Sequence, residues 1–290
     1  MTVLFERMAV AGVGLIGGSL ALAAREAGLV REVVGYGRSA ANLRLARDRG
    51  LVDRVAHEPA DAVAGAQAIV LAVPVGACAA LAGTFRAHAR AGTVLTDVGS
   101  VKAQLVADLE ARWAGVGPVV GAHPIAGSEA WGAGAARADL FRGRVCVLTP
   151  TPQTDLAALA RVRALWEGVG ARVEEMPAVV HDAILARVSH LPHLIAYALV
   201  AAVAGQQIDG RDPLAYAGSG FRDSTRIAAS RAELWRDIAL ANATALGAAL
   251  GDFRVALGRL EALLEAGDAA ALEAALAAAE AARRGLEGAR

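Results

Sequence analysis

The stretch VAGVGLIGGS, residues 10–19, decides how the chain is read. It sets Gly12, Gly14 and Gly17 in GxGxxG spacing, directly after the apolar run Met8-Ala9-Val10-Ala11 and at the head of the helical SLALAAREAG. Each glycine has its own task in such a turn. Gly12 permits the tight reversal, Gly14 lets a pyrophosphate approach the backbone, and Gly17 lets helix close on strand, at a helix N-terminus whose dipole favours an anion. The turn from Gly12 to Gly17, with Val13, Leu15 and Ile16 between the glycines, is therefore expected to hold a dinucleotide. The motif alone is weak evidence; a strand before it, a helix after it and a second strand about twenty residues on supply the context it needs.

Outward from this turn, short apolar runs alternate with alanine-rich amphipathic segments. Met8–Ala11, Val33–Tyr36, Ala68–Val73, Thr93–Thr96, Val119–Ala122 and Val145–Leu148 read as buried strands. Strand and helix in alternation imply right-handed crossovers and a mostly parallel sheet covered on both faces. From about Ala178 the strand signal stops, and HDAILARVSHLPHLIAYALVAAV, AELWRDIALANATALGAALGDFRVALGRLEALLEA and the alanine-rich tail carry helical periodicity. The expected fold is an α/β N-terminal Rossmann-type dinucleotide-binding domain, residues 1–174, plus an all-α C-terminal substrate and dimerisation domain, residues 175–290. The helices are too apolar to face solvent on every side, which points to packing against a second copy, a homodimer, with a self-contained bundle as the alternative.

The second strand should end in an Asp or Glu that reads the ribose 2′-hydroxyl of NAD. Gly37 stands there, followed by Arg38 and Ser39. The repelling carboxylate is gone and a cation and a hydroxyl have arrived, so a 2′-phosphate is accommodated and NADP is favoured. The other reading is an ordinary solvated turn in a protein that uses NAD or either dinucleotide.

Ligands of an open parallel sheet bind beyond the carboxyl ends of its strands. Those ends carry Val73-Pro74, then Asp97-Val98-Gly99-Ser100-Val101-Lys102, then His123-Pro124-Ile125-Ala126-Gly127-Ser128-Glu129. Three polar loops should converge beside the nicotinamide, which places His123 as a general base for a substrate hydroxyl. Lys102 is the only lysine in the chain, so its compact ammonium with three donors is expected to matter where arginine serves elsewhere. SHLPH puts Ser189 and His193 four apart on one helical face, with Pro192 kinking the helix. GSGFRDSTRIA puts Arg222 and Arg226 after a glycine-rich entry; Arg226, facing the cleft, would clamp a carboxylate, and so the substrate is a small anion. His190 and Arg222 read better as an interfacial polar residue and a solvated charge, and Trp235 as core packing. No metal is expected, because His190 and His193 lack a third ligand.

Composition narrows the partners. The chain has 290 residues, 56% of them hydrophobic, with 29 basic against 29 acidic. A net charge of zero argues against nucleic acid or an anionic membrane. Cys78 and Cys146 form no CxxC spacing, which suits a reducing cytoplasm. The start lacks a basic region followed by a long apolar core, and the apolar runs read as broken by Gly, Pro or charge before a membrane span's length, so neither export nor a membrane partner is expected.

Together GVGLIGGS, LAVPV, TDVGSVK, GAHPIAGSE, SHLPH and GFRDSTRIA resemble the prephenate and arogenate dehydrogenases of tyrosine biosynthesis, and the likeness runs from about Met8 to Trp235. The resemblance implies an NAD(P)-binding domain joined to a helical dimerisation domain, and oxidative decarboxylation of a cyclohexadienol, prephenate or arogenate. It implies that His123 bonds the ring 4-hydroxyl and that Ser100 joins it there. It further implies that His193 and Arg226 shape the substrate site and that Glu129 lies at its mouth; Ser189, on the same helical face as His193, is expected to line the site with them. Gly37 departs from the family's usual Asp. With no regulatory domain after the helices, inhibition by tyrosine would act at the active site. Two alternatives stay open: a β-hydroxyacid dehydrogenase, which would need a lysine in the helical half that this chain lacks, and a dinucleotide-sensing regulator, which would need neither His123 nor Arg226.

Overall fold

The structure is a computed structural model that describes residues 3–127 and 130–286. The sheet-bearing part runs β1 (Phe5–Ala11), α1 (Leu15–Glu26), β2 (Val30–Tyr36), α2 (Ala40–Asp48), β3 (Arg54–Ala56), α3 (Pro59–Val63), β4 (Ala68–Leu71) and α4 (Val75–Arg86). It continues through β5 (Val94–Asp97), α5 (Ala103–Trp113), β6 (Val119–Pro124), β7 (Val145–Thr149), α6 (Leu156–Gly168) and β8 (Arg172–Glu175). Helices follow: α7 (Ala178–Leu185), α8 (Leu191–Val203), α9 (Ser219–Thr225), α10 (Ala232–Ala241), α11 (Ala243–Ala266) and α12 (Ala269–Gly285). By contacts the chain falls into two units, residues 1–243 and 244–290. The first unit holds the whole sheet and the helices through α10; the second is α11 and α12.

The eight strands lie in the order β3-β2-β1-β4-β5-β6-β7-β8. All pairings are parallel except β6 with β7, where His123 sits opposite Val147. Alternation along β4 shows why helices must cover both faces. Ala68 and Val70 enter one core with Leu20, Leu43 and Val162, from α1, α2 and α6; Ile69 and Leu71 enter the other with Val63, Phe85 and Leu109, from α3, α4 and α5. Each large aliphatic side chain so buried contributes about 1.5–3 kcal/mol. Two strands have no counterpart in the sequence reading. β3 and β8 are three and four residues long, lie at the two sheet edges and carry Arg54, Arg172, Glu174 and Glu175. Charge on an edge strand discourages pairing with another chain, and it also erases the apolar run by which strands are recognised.

One further expectation is corrected. The segment Ala178–Val203 is one unbroken helix of 26 residues, apolar and long enough to cross a membrane by length and composition alone, so the apolar runs are not all interrupted. His181, Asp182, Arg187 and Pro192 fall inside it without ending it. Pro192 lies within the same helix. Residues Ala186–His190 form a π-helical turn immediately before it. Proline has no N–H to give the carbonyl four residues back, and a turn bonded over five residues is the local accommodation.

Candidate active site

The glycine-rich turn has the dimensions of a phosphate cradle. Gly12 has φ of +95°, and a Cβ there would lie 2.2 Å from the Ala72 carbonyl oxygen and 3.1 Å from Val73 Cγ1. A Cβ on Gly17 would lie 2.2 Å from the Gly12 oxygen and 2.7 Å from Ala72 Cβ, so β1, α1 and the end of β4 close on one another only because both residues lack side chains. Gly14 is different: a Cβ would meet nothing within 4 Å. Open space at that position, at the N-terminus of α1 where no described side chain caps the helix, is what an approaching pyrophosphate requires. The amides of Leu15 and Ile16 begin the helix there. Asn42 braces the turn, donating from Nδ2 to the Val13 carbonyl at 2.8 Å while Oδ1 accepts from the Ala133 amide at 2.8 Å. Pro74 caps the start of α4 beside Val73.

At the end of β2, Gly37 has no positive φ, and a Cβ would touch only Leu43, at 3.7 and 4.0 Å. A side chain is therefore tolerated at that position without strain. Arg38 is exposed. Ser39 is the N-cap of α2, its Oγ accepting from the Asn42 amide at 3.2 Å, which leaves its hydroxyl hydrogen for another acceptor.

The ends of β4, β5 and β6 are neighbours in the sheet, as converging loops require. His123 belongs to β6 itself rather than to the loop after it, so the candidate base is held by strand hydrogen bonds. Its carrier is pinned from below. Asp97, the last residue of β5, accepts from the Gly99 amide at 2.7 Å and the Ala122 amide at 3.2 Å, and pairs with Lys102 Nζ, which also donates to the Ala122 carbonyl at 2.9 Å. Asp97 and Lys102 are both fully buried. A compact ammonium bridging Asp97 and a backbone carbonyl in that space explains the one lysine. Ser100 is half-buried in the segment between β5 and α5.

A chain of side chains runs away from His123. Its Nδ1 lies 2.8 Å from His181 Nε2, and His181 Nδ1 lies 2.7 Å from Asp182 Oδ1. Asp182 also accepts from the amides of Lys102 and Ala103, each at 2.8 Å, at the N-terminus of α5. Burial alone would raise the Asp182 carboxyl; the bonds from His181 and the two amides outweigh it and hold it below the usual carboxylate range. His123 is pushed well below the ordinary imidazole value of 6.5, first by burial and then by His181, Lys102 and His190, so it is neutral at physiological pH. Burial brings His190 down to about 4. Asn242 Nδ2 joins it to the same cluster, 3.1 Å from His190 Nδ1 and 2.9 Å from the Asp182 carbonyl. His181, Asp182 and Asn242 were not singled out by the sequence reading, and Asp97 only as the end of a strand. The available signal was a His-Asp pair at the start of an apolar helix, since polar groups that are buried there need partners.

Among the residues expected from α7 onward, Ser189 and His193 do meet, though through the backbone: His193 Nδ1 donates to the Ser189 carbonyl at 2.9 Å. The His193 ring stacks on Trp235 with centroids 3.5 Å apart, and His190 meets the same indole edge-on at 6.1 Å. Trp235 is buried, with Val101 and Ile238, and so is core packing that also braces His193. Arg226 is exposed and opens a short 3-10 turn packed on α8. Glu129 and Ser128 lie outside the described residues. No group of three metal-ligating side chains occurs among the described residues.

Residues 20–175 match the family model described as prephenate dehydrogenase, nucleotide-binding domain, and residues 177–278 match prephenate dehydrogenase, dimerization domain. The chain is 37% identical over 269 residues to the cyclohexadienyl dehydrogenase of Zymomonas mobilis, covering 92% of this chain and 91% of that one. Its structure resembles that of prephenate dehydrogenase from Aquifex aeolicus in complex with hydroxyphenyl propionate and NAD+, with a TM-score of 0.92, 33% identity and coverage of 97% and 98%. Synechocystis arogenate dehydrogenase follows with a TM-score of 0.82, 32% identity and coverage of 97% and 99%. Nucleotide-binding and helical halves are both matched, in the order in which the fold presents them, and the chain belongs to the prephenate and arogenate dehydrogenase family.

Proposed function

We propose that this oxidoreductase carries out the NADP-linked oxidative decarboxylation of prephenate or arogenate, to 4-hydroxyphenylpyruvate or tyrosine, with His123 as the base. One observation carries the reading: a buried, neutral imidazole stands at the carboxyl edge of β6, two strands from the end of β4 that borders the glycine cradle. When bound, the nicotinamide supplies the acceptor for the hydride that leaves C4 of the ring. His123 takes the proton of the C4 hydroxyl, with Ser100 beside it; the ring carboxylate departs as carbon dioxide, the ring becomes aromatic, and His123 returns the proton to the phenolate oxygen. Arg226 holds a substrate carboxylate, Ser189 and His193 shape the wall, and Glu129 guards the mouth.

The preference for NADP rests on Gly37, Arg38 and Ser39, which present no carboxylate and one cation to the 2′ position. The helical region from about residue 175 makes a homodimer, the protein works in solution in the cytoplasm, and tyrosine, which resembles the product, competes at the active site. The test is kcat/KM for prephenate and for arogenate with each dinucleotide. NADP should be favoured, and Gly37→Asp should invert the order, since the structure leaves room for the carboxylate. Preference for NAD in the wild type would show that Arg38 serves only solvent.

A further inference from the structure

We infer that His181 and Asp182 are positioning residues that fix the proton of His123 on Nδ1, so that Nε2 is the basic nitrogen. The inference rests on His123 being the base and adds how that base is kept in its working form. A carboxylate only accepts hydrogen bonds. Asp182 Oδ2 accepts from the Ala103 amide, and Oδ1 accepts from both the Lys102 amide and His181 Nδ1. A neutral His181 with its proton on Nδ1 carries a lone pair on Nε2. The 2.8 Å contact from that nitrogen to His123 Nδ1 needs one proton between them, and His123 must provide it. His123 Nε2, which makes no hydrogen bond within the described residues, is then bare. The two rings meet at 69° with centroids 5.0 Å apart, and His181 is fully buried, so water does not compete for either nitrogen.

The anchoring gives the relay a second property. Asp182 grips the amide of Lys102, whose side chain clamps Asp97 to Ala122, the residue before His123. Both ends of the relay are thus tied to the same pair of strands. When His123 accepts a proton on Nε2, no proton has to leave the chain; the positive charge is drawn toward the Asp182 carboxylate through His181. The sequence separation of 58 residues between the two histidines hides this arrangement.

Imidazole nitrogens of the 15N-labelled protein, read by long-range 1H–15N NMR at neutral pH, test this directly. His123 should show Nδ1 protonated and Nε2 bare; the opposite tautomer, or a doubly protonated His181, overturns the inference. In Asp182→Asn the NH2 group, when it takes the place of Oδ1, gives up the bond from the Lys102 amide and donates to His181 Nδ1, which reverses both rings and moves the His123 proton to Nε2. We expect kcat to fall by about 10²–10⁴, the scale known for a wrong-tautomer histidine, with substrate KM and dinucleotide affinity close to wild type. An Asp182 that merely caps α5 would lower Tm in the variant and leave the tautomer and kcat alone, and that result also overturns the proposal. If Asp182→Asn does not fold, the wild-type tautomer decides. His123→Asn measured alongside separates the failures. If it keeps wild-type kcat, the base assignment falls; if it loses kcat while Asp182→Asn keeps it, the relay alone falls.

Discussion

Between Gly12 and Gly17 the chain offers a ligand backbone and open space, whereas around His123 nearly every polar contact is a side chain brought from elsewhere in the sequence. The cradle is specified by what is missing. Two of its glycines are required because a Cβ would strike backbone, and the third opens on free space, where the proposed dinucleotide would approach. The relay is specified by what is present: a carboxylate, two imidazoles and the amides that hold them, each partner leaving the next only one role. Damage to the first should therefore appear in stability and dinucleotide affinity, and damage to the second in turnover.

His123→Asn breaks the comparison hardest. It keeps a hydrogen-bonding group but removes the base, so kcat should fall by about two to four decades while dinucleotide binding, measured by titration, persists. Near-normal kcat would make the histidine structural. Arg226→Ala comes next: loss of a charge-assisted carboxylate contact should weaken substrate binding by about 2–4 kcal/mol, seen as a raised KM with dinucleotide affinity unchanged. Unchanged substrate kinetics would remove Arg226 from the site.

The glycines sharpen the contrast within the cradle itself. Gly17→Ala should cost about 1–3 kcal/mol of unfolding free energy, because the added methyl meets the Gly12 oxygen and Ala72. Gly14→Ala should leave denaturant stability nearly unchanged and weaken dinucleotide binding. Equal behaviour of the two variants would mean that the cradle does not separate packing from ligand space. The smallest effect is one of pH. His123, His190 and His193 all titrate below their ordinary value in the fold, so the unfolded chain binds more protons as pH falls below 6.5. Stability is complete above that value and declines toward pH 4, with His190 alone contributing about 1 kcal/mol of the loss between pH 6.5 and 5.5. A Tm that is flat across this range would argue against the neutral buried cluster.

Why the cradle is legible and the relay is not follows from the same difference. Gly12, Gly14 and Gly17 fall within six consecutive residues, and their spacing is itself the geometry. The strand ends at Val73 and Asp97 could be found because sheet topology brings the carboxyl ends of neighbouring parallel strands together, whereas His123, expected in the loop after its strand, lies in β6 itself. His181, Asp182 and Asn242 join them only through tertiary packing, of α7 on α5 and β7 and of α10 on α4, and no local pattern announces that. β3 and β8 were hidden by their edge charges, and the π turn at Ala186–His190 by the smooth apolar periodicity around it.

Lys102 carries a practical consequence. It is the chain's only lysine, and none of its side chain reaches solvent. In the folded protein an amine-selective reagent finds no side-chain amine to attack, any terminal amine aside. Labelling of Lys102 has to wait for an opening that parts β5 from β6, so under fast reclosing its rate reports the population of the opened form. Mass spectrometry of a single acylated peptide would then follow the breathing of the site's foundation under native conditions, with and without dinucleotide, without any probe being introduced by mutation.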